Sequence, residues 1–191
     1  MKFRIKQHYS DQQLLAGCLR GERKYQESLY NQHGSTMFAI CLRYACDYYQ
    51  AEDMLQEGFI KVFNNLKNFR GEGSFEGWLK RIFVNTAIEW LRKNKMMNQM
   101  MEIEHAPLHI VQEDCFSQLA ADDLMKLIQS LSPGYRTVFN LYAIEGYSHK
   151  EIADLMHINE GTSKSQLARA RYILQKMVVQ TNKVQYAAAV L

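Results

Sequence analysis

A chain of 191 residues, 47% apolar and 23% charged, is long enough for one or two packed domains and too apolar for wholesale disorder. Two prolines and ten glycines exclude collagen-like and proline-rich architectures and argue against a turn-rich β sandwich. The net charge of +3 decides little by itself; where the charges lie matters more.

The start, Met1 to Lys6, is basic, but no apolar run of signal-peptide length follows. No later stretch approaches the roughly 18 apolar residues of a membrane span, so the chain is expected in the cytoplasm. Ser10 and Gln13 form a capping box that predicts a helix to about Asn31, with Leu14, Leu15, Cys18, Tyr25 and Leu29 inward. A second helix carries Met37, Phe38, Ile40, Cys41, Tyr44 and Ala45. A third, about Gln50 to Leu66, places Ala51, Leu55, Gly58, Phe59, Val62 and Leu66 on its inner side. The glycine-punctuated stretch Lys67 to Gly73 is a loop, and Ser74 caps a long fourth helix with Phe75, Trp78, Leu79, Ile82, Phe83, Trp90 and Leu91 in register.

The charge then reverses. From 61 to 95 eight bases oppose three acids; from 96 to 125 there are six acids and no Lys or Arg; from 146 to 183 six bases oppose three acids. Two basic helical units therefore flank an acidic connector containing Pro107. The predicted organisation is all-α: a domain at 1–95, a linker at 96–116, a second domain at 117–182 and a tail at 183–191. In the second domain Leu119 to Leu131 forms one helix, and Ser132-Pro133 starts another, with Ser as cap and Pro at the first position. Glu145-Gly146-Tyr147 breaks that helix. Ser148 and Glu151 form a further capping box, and a final helix runs from about Glu160 to Val179.

Cys18, Cys41, Cys46 and Cys115 lack metal-ligand spacing, and the first three sit in apolar helical stretches, which predicts reduced, packed thiols. His105 and His109 have helical spacing near Cys115, but Pro107 between them speaks against a metal site. No phosphate-binding loop and no nucleophile–base pair is present, so no catalytic residue and no cofactor is expected.

Two helices separated by a short turn, the second bearing basic and small polar residues, form a helix-turn-helix pattern. On the last helix Leu167, Ala170, Leu174 and Met177 face one way. Lys164, Ser165, Ala168, Arg169 and Tyr172 face another, short-chained near its start so that bases can approach. Arg169 suits guanine, Ser165 several base edges, and Lys164, Arg171 and Thr162 phosphates. A solvated basic face is the competing reading. In the first unit Asp53, Gln56, Glu57 and Ile60 share one helix side, suited to a basic partner helix or simply to solvent. The following loop and helix interleave Phe69, Trp78, Phe83 and Trp90 with Lys67, Arg70, Lys80 and Arg81. Aromatics among bases can hold unstacked nucleotides, although the two tryptophans also fit the core stripe.

Four segments, in order, resemble the extracytoplasmic-function class of bacterial RNA polymerase sigma factors. They are Ala51 to Phe59; Phe69-Arg70-Gly71 through Ser74-Phe75, Trp78-Leu79, Ile82, Asn85 to Ile88 and Leu91-Arg92-Lys93; Leu131-Ser132-Pro133 with Gly146-Tyr147-Ser148 and Glu151-Ile152-Ala153; and Gly161 to Arg171. The resemblance covers about 10–180. It implies that Asp53, Gln56, Glu57 and Ile60 dock on core RNA polymerase. It implies that the segment from Asn64 to Asn85, with Lys67, Asn68, Phe69, Arg70, Gly71, Ser74, Lys80 and Arg81, melts promoter DNA and captures a flipped −10 base. Thr162, Lys164, Ser165, Ala168, Arg169 and Arg171 would read the −35 duplex. The acidic linker would thread the polymerase cleft, its charge imitating RNA. An inhibitory anti-sigma factor is common in the family. Departures from the usual pattern are Gln166 for arginine, Ser163 for valine, Ala168 with only a methyl to offer, and Gly58 for a larger residue. Against this stand a stand-alone helix-turn-helix regulator and a pure protein adaptor.

Overall fold

The computed structural model describes residues 8–93 and 121–189, and every regular element within them is helical. The linker 96–116, with His105, Pro107, His109 and Cys115, lies outside the described residues. Contacts divide the chain into two compact units, 1–89 and 90–191. Among the described residues no helix is long and apolar enough to cross a membrane.

In the first unit the capping box forms as predicted. Gln13 N–H donates to Ser10 Oγ at 3.3 Å, and Ser10 N–H donates to Gln13 Oε1 at 3.0 Å. The helix it opens, α1, ends at Leu19 (Asp11–Leu19), and α2 begins anew (Arg23–Tyr44). The single helix to Asn31 is thus corrected to two. Gly21 adopts φ 74°, which reverses the chain, while Gly21 N–H and Glu22 N–H donate back to Cys18 and Gly17 carbonyls at 2.9 and 3.1 Å. Gly17 faces the ring of Tyr25 so closely that no Cβ fits, which lets α2 fold against α1. The apolar spacing runs through this break, so periodicity alone did not reveal it.

Helix α3 (Tyr48–Asn65) starts at Asp47, whose carboxylate accepts from Gln50 N–H at 2.8 Å, and ends in a 3-10 turn over Leu66–Asn68. Its buried residues are Ala51, Met54, Leu55, Gly58, Phe59 and Val62. Helix α4 (Phe75–Lys93) is capped by Ser74, whose Oγ accepts from Gly77 N–H at 3.0 Å. Phe83 of α4 fills the notch left by Gly58 and meets Phe59 edge-on at 5.2 Å. The resemblance implies a larger residue at the Gly58 position; here Phe83 occupies that space. Cys18 and Cys41 are buried, and burial pushes their thiols up to about 11 and about 12. Cys46 is corrected: it lies between α2 and α3 and is exposed.

The second unit comprises α5 (Ala121–Ser130), α6 (Pro133–Phe139), a π turn over Asn140–Ile144, α7 (His149–Met156) and α8 (Glu160–Ala189). Ile128, Leu131, Ala170 and Leu174 form a core patch, with Leu124, Leu127, Tyr135, Phe139 and Ile173 packed around it. Pro133 opens α6, but the Ser132 side chain makes no cap bond; its carbonyl accepts from Arg136 N–H at 3.0 Å instead. Arg136 is 1% exposed and donates through Nη1 to the Gln129 carbonyl at 2.8 Å, tying α6 to the end of α5. Helix α8 continues past the predicted end at Val179, because no glycine or proline follows Gly161 to stop it.

Gly58→Ala is expected to lower stability by about 1–3 kcal/mol through overpacking against Phe83, and adding Phe83→Leu should recover part of the loss; urea unfolding of the parent, single and double variants measures both.

Candidate functional site

Three surfaces hold the predicted residues. On α3 the inward stripe of Ala51, Met54, Leu55 and Phe59 turns Asp53, Gln56 and Ile60 out to solvent, and Ile60 is 60% exposed. Glu57 is different. It is half-buried and bonded by Lys61 at 3.1 Å, and Lys61 also donates to Glu89 of α4 at 2.8 Å. Burial opposes the Lys61 charge, but its bonds to Glu89 and Glu57 outweigh that and hold it above the ordinary lysine value. Lys61 therefore fastens α3 to α4 through Glu89, with Glu57 as its second partner on α3, whereas Asp53 has no ion-pair partner among the described residues.

Between α3 and α4 the chain makes an exposed loop around a small aromatic cluster. The half-buried ring of Phe69 lies 5.3 Å from Phe75 and 5.5 Å from Trp78, and Phe75 and Trp78 are stacked at 5.8 Å. Gly71 and Gly73 hold φ of 76° and 90°, left-handed conformations that a side chain would strain, so the two glycines let the loop turn. Lys67, Asn68, Arg70, Gly71 and Ser74 are exposed around this cluster. Asn68 donates to Asn65 Oδ1 at 3.1 Å, while Asn64 is exposed. On α4, Arg81 is exposed and Asn85 half-buried one turn on. Lys80 is paired with Glu76 at 2.8 Å, and that bond lowers the Glu76 carboxyl below its usual range.

The third surface is the helix pair α7–α8. Ser148 and Glu151 form the predicted capping box, with Ser148 N–H donating to Glu151 Oε2 at 2.8 Å. His157 takes the left-handed conformation (φ 54°) that ends α7, and Asn159 then caps α8 by accepting from Thr162 N–H at 2.6 Å. Lys164, Ser165, Ala168 and Arg171 are exposed; Thr162 and Arg169 are half-buried; Leu167, Ala170 and Leu174 are buried, and Met177 is half-buried. Lys164 is bonded to Glu160 at 2.7 Å. The Arg169 guanidinium lies 5.8 Å from the Tyr172 ring, and that of Arg171 lies 5.7 Å from the Tyr142 ring. Two residues apart, these arginines leave α8 on different sides, so one can address a base edge while the other addresses a phosphate.

Three features escaped the sequence reading. Asn159 is the cap of α8; an Asn three residues before Thr162 was the available signal. Tyr142 is 37% exposed and stacks on His149 at 4.6 Å, 24° from parallel. His149 Nδ1 lies 2.9 Å from the buried Ser163 Oγ. Ser163 and Gln166 are both buried, so these departures from the family pattern sit in the packing of α8 rather than on its outer face.

Comparison with known proteins gives a consistent result. The Sigma-70 region 2 family matches residues 29–96, and the Sigma-70, region 4 family matches 121–174. The RNA polymerase sigma-H factor of Pseudomonas aeruginosa is 31% identical over 180 residues, 87% of this chain and 92% of that one. The ECF RNA polymerase sigma-E factor of Haemophilus influenzae is 28% identical over 181 residues, 88% of this chain and 95% of that one. In fold, the chain is similar to the sigma factor RpoE solved with the anti-sigma factor NepR from Bartonella quintana. That likeness covers 81% of this chain and 96% of that one, at 22% identity and a TM-score of 0.50. The match over 29–96 overturns the stand-alone regulator, whose first unit would instead dimerise or sense a ligand.

Asn159→Ala is expected to destabilise the α7–α8 pair by about 0.5–2 kcal/mol through the lost cap, read as earlier amide exchange at Thr162 and Ser163.

Proposed function

The chain belongs to the RNA polymerase sigma factors of the extracytoplasmic-function class, and on that footing we propose how its residues divide the work of promoter recognition. It binds core RNA polymerase and directs initiation at specific promoters. Asp53, Gln56, Glu57 and Ile60 form the polymerase-docking surface, Glu57 being set in position by its bond to Lys61. The exposed loop from Lys67 to Ser74, with Asn64, Arg81 and Asn85, captures melted −10 bases. The Phe69 ring, already packed on Phe75 and Trp78, serves as the floor of that site, and Lys80 supplies charge at its edge. Ser165, Ala168 and Arg169 read the −35 bases, while Thr162, Lys164 and Arg171 grip the flanking phosphates.

The observation that carries this reading is that α3 presents the acidic and polar residues Asp53 and Gln56 beside exposed Ile60, while the loop after α3 with the start of α4, and α8, present basic residues among aromatic rings. One surface suits a protein and two suit nucleic acid. The domains lie at 1–95 and 117–182, joined by the acidic linker 96–116 and followed by the tail 183–191. Neither DNA contact need be tight, because docking on polymerase raises the effective concentration of the second once the first is made. Each captured base returns about 1–3 kcal/mol of stacking toward the cost of opening the duplex. The chain needs no catalytic step of its own and works in the cytoplasm, where the polymerase is. An anti-sigma factor, the kind of partner present with the Bartonella protein, would act by covering these same faces.

Reconstituted transcription tests the whole scheme: core polymerase plus this chain should start at discrete promoters in a genomic library, and core polymerase alone should not. Arg169→Ala is expected to weaken binding to the −35 duplex by about 1–3 kcal/mol in fluorescence anisotropy; parental affinity would remove Arg169 from base reading. Asp53→Ala with Gln56→Ala should lower affinity for core polymerase without shifting the melting temperature, and an unchanged pull-down would displace the docking surface.

A further inference from the structure

We propose that the groove between α2 and α3 is a socket for an arginine side chain presented by core RNA polymerase. The proposal rests on the docking surface assigned to α3 and extends it across α2. The groove has a volume of about 390 Å³ and shares Gln56 with that surface. Its walls are the rings of Tyr30, Phe38 and Tyr48, with Glu52 beside Gln56 on α3 and Gly34 on α2. Each of these rings already touches an aromatic neighbour, and Tyr30 and Tyr48 remain partly open to solvent. Phe38 meets Tyr48 edge-on at 5.1 Å, and Tyr30 packs at 4.7 Å on Phe59, which is buried. A Cβ built at Gly34 would meet nothing nearer than the Tyr30 ring at 3.7 Å, so a small side chain fits there while a long one would enter the groove.

The charge selects the occupant. Glu57, Glu76 and Glu160 each bond a lysine one turn away, but Glu52 has no ion-pair partner among the described residues, and no Lys or Arg lines the groove. An aliphatic side chain would bury the Glu52 carboxylate and the Gln56 amide without partners. An anion would meet Glu52 directly. A guanidinium fits both demands: its face stacks on the tyrosine and phenylalanine rings while its edge donates to the carboxylate and the amide oxygen. Ammonium, a compact and strongly hydrated charge, can lie over a ring but offers no flat face to stack and no forked edge to donate, so it fits both demands less well.

Equilibrium binding of the full-length chain to core RNA polymerase, with Asp53→Ala as a comparison outside the groove, tests the socket. Glu52→Gln and Gly34→Leu should each weaken binding about tenfold or more, the first by removing charge at constant shape and the second by filling the space. Gly34→Ala, which the contact distances admit, checks that α2 tolerates substitution there. Methylguanidinium, titrated into the free chain, should shift the amide resonances of Tyr48, Glu52 and Gln56 more than methylammonium does. Parental affinity in Glu52→Gln or in a folded Gly34→Leu overturns the socket; if Asp53→Ala is still weakened, the docking surface stands without it. Parental affinity in all three overturns both. Equal shifts by the two cations overturn the preference for arginine.

Discussion

The N-terminal unit depends on one missing side chain. At Gly58 the backbone of α3 lies open, and Phe83 brings its ring from α4 into that space. Around this contact Phe59, Val62 and Leu79 close a core, and the Lys61 bridge to Glu57 and Glu89 ties the same two helices at the surface. Close packing there fixes the rotation of α3, and rotation decides which residues face out. Asp53, Gln56 and Ile60 are exposed because Ala51, Met54 and Leu55 are committed inward. The same constraint holds the start of α4, and hence the loop that carries Arg70 and the two left-handed glycines.

In the second unit precision comes from hydrogen bonds at helix ends rather than from bulk. The Ser148–Glu151 box, the left-handed His157 and the Asn159 cap set where α7 stops and α8 begins. These bonds orient the start of α8, and Lys164 and Ser165 project from its second turn. Arg136, buried and bonded to the Gln129 carbonyl, does the corresponding task between α5 and α6. A buried guanidinium is tolerated there because a carbonyl at a helix C-terminus is an acceptor of partial negative charge.

The sequence was most legible where helical period and capping residues agreed. Both capping boxes, the Ser74 cap and the inward stripes of α3, α4 and α8 are visible as spacing, and the helix-turn-helix follows from them. Where a break leaves the apolar period intact, as at Gly21, spacing says nothing, and two helices look like one. The end of α8 is not marked in the sequence, because a charge-poor, alanine-rich stretch reads equally well as an end or as helix. Cys46 follows an apolar run yet falls in the turn between two helices, so spacing alone assigns it to a helix. The candidate faces on α3 and α8 were legible from residue type and phase. The Lys61–Glu89 bridge and the contact of Arg171 with Tyr142 were not, since each joins residues on separate helices, and the aromatic floor depends on how the chain folds back between Phe69 and Trp78.

The array that links Arg171, Tyr142, His149 and Ser163 has an implication for how such proteins can be rebuilt. Ser163 stands where a valine is usual, and it is the partner of a histidine on the preceding helix. A recognition helix transplanted from a relative carrying valine would arrive with that histidine orphaned. Its arginine would also rest on a tyrosine whose own support had changed. Exchange of promoter preference between members would therefore succeed as a two-helix cassette, and a single-helix graft would deliver the new letters on a tilted page.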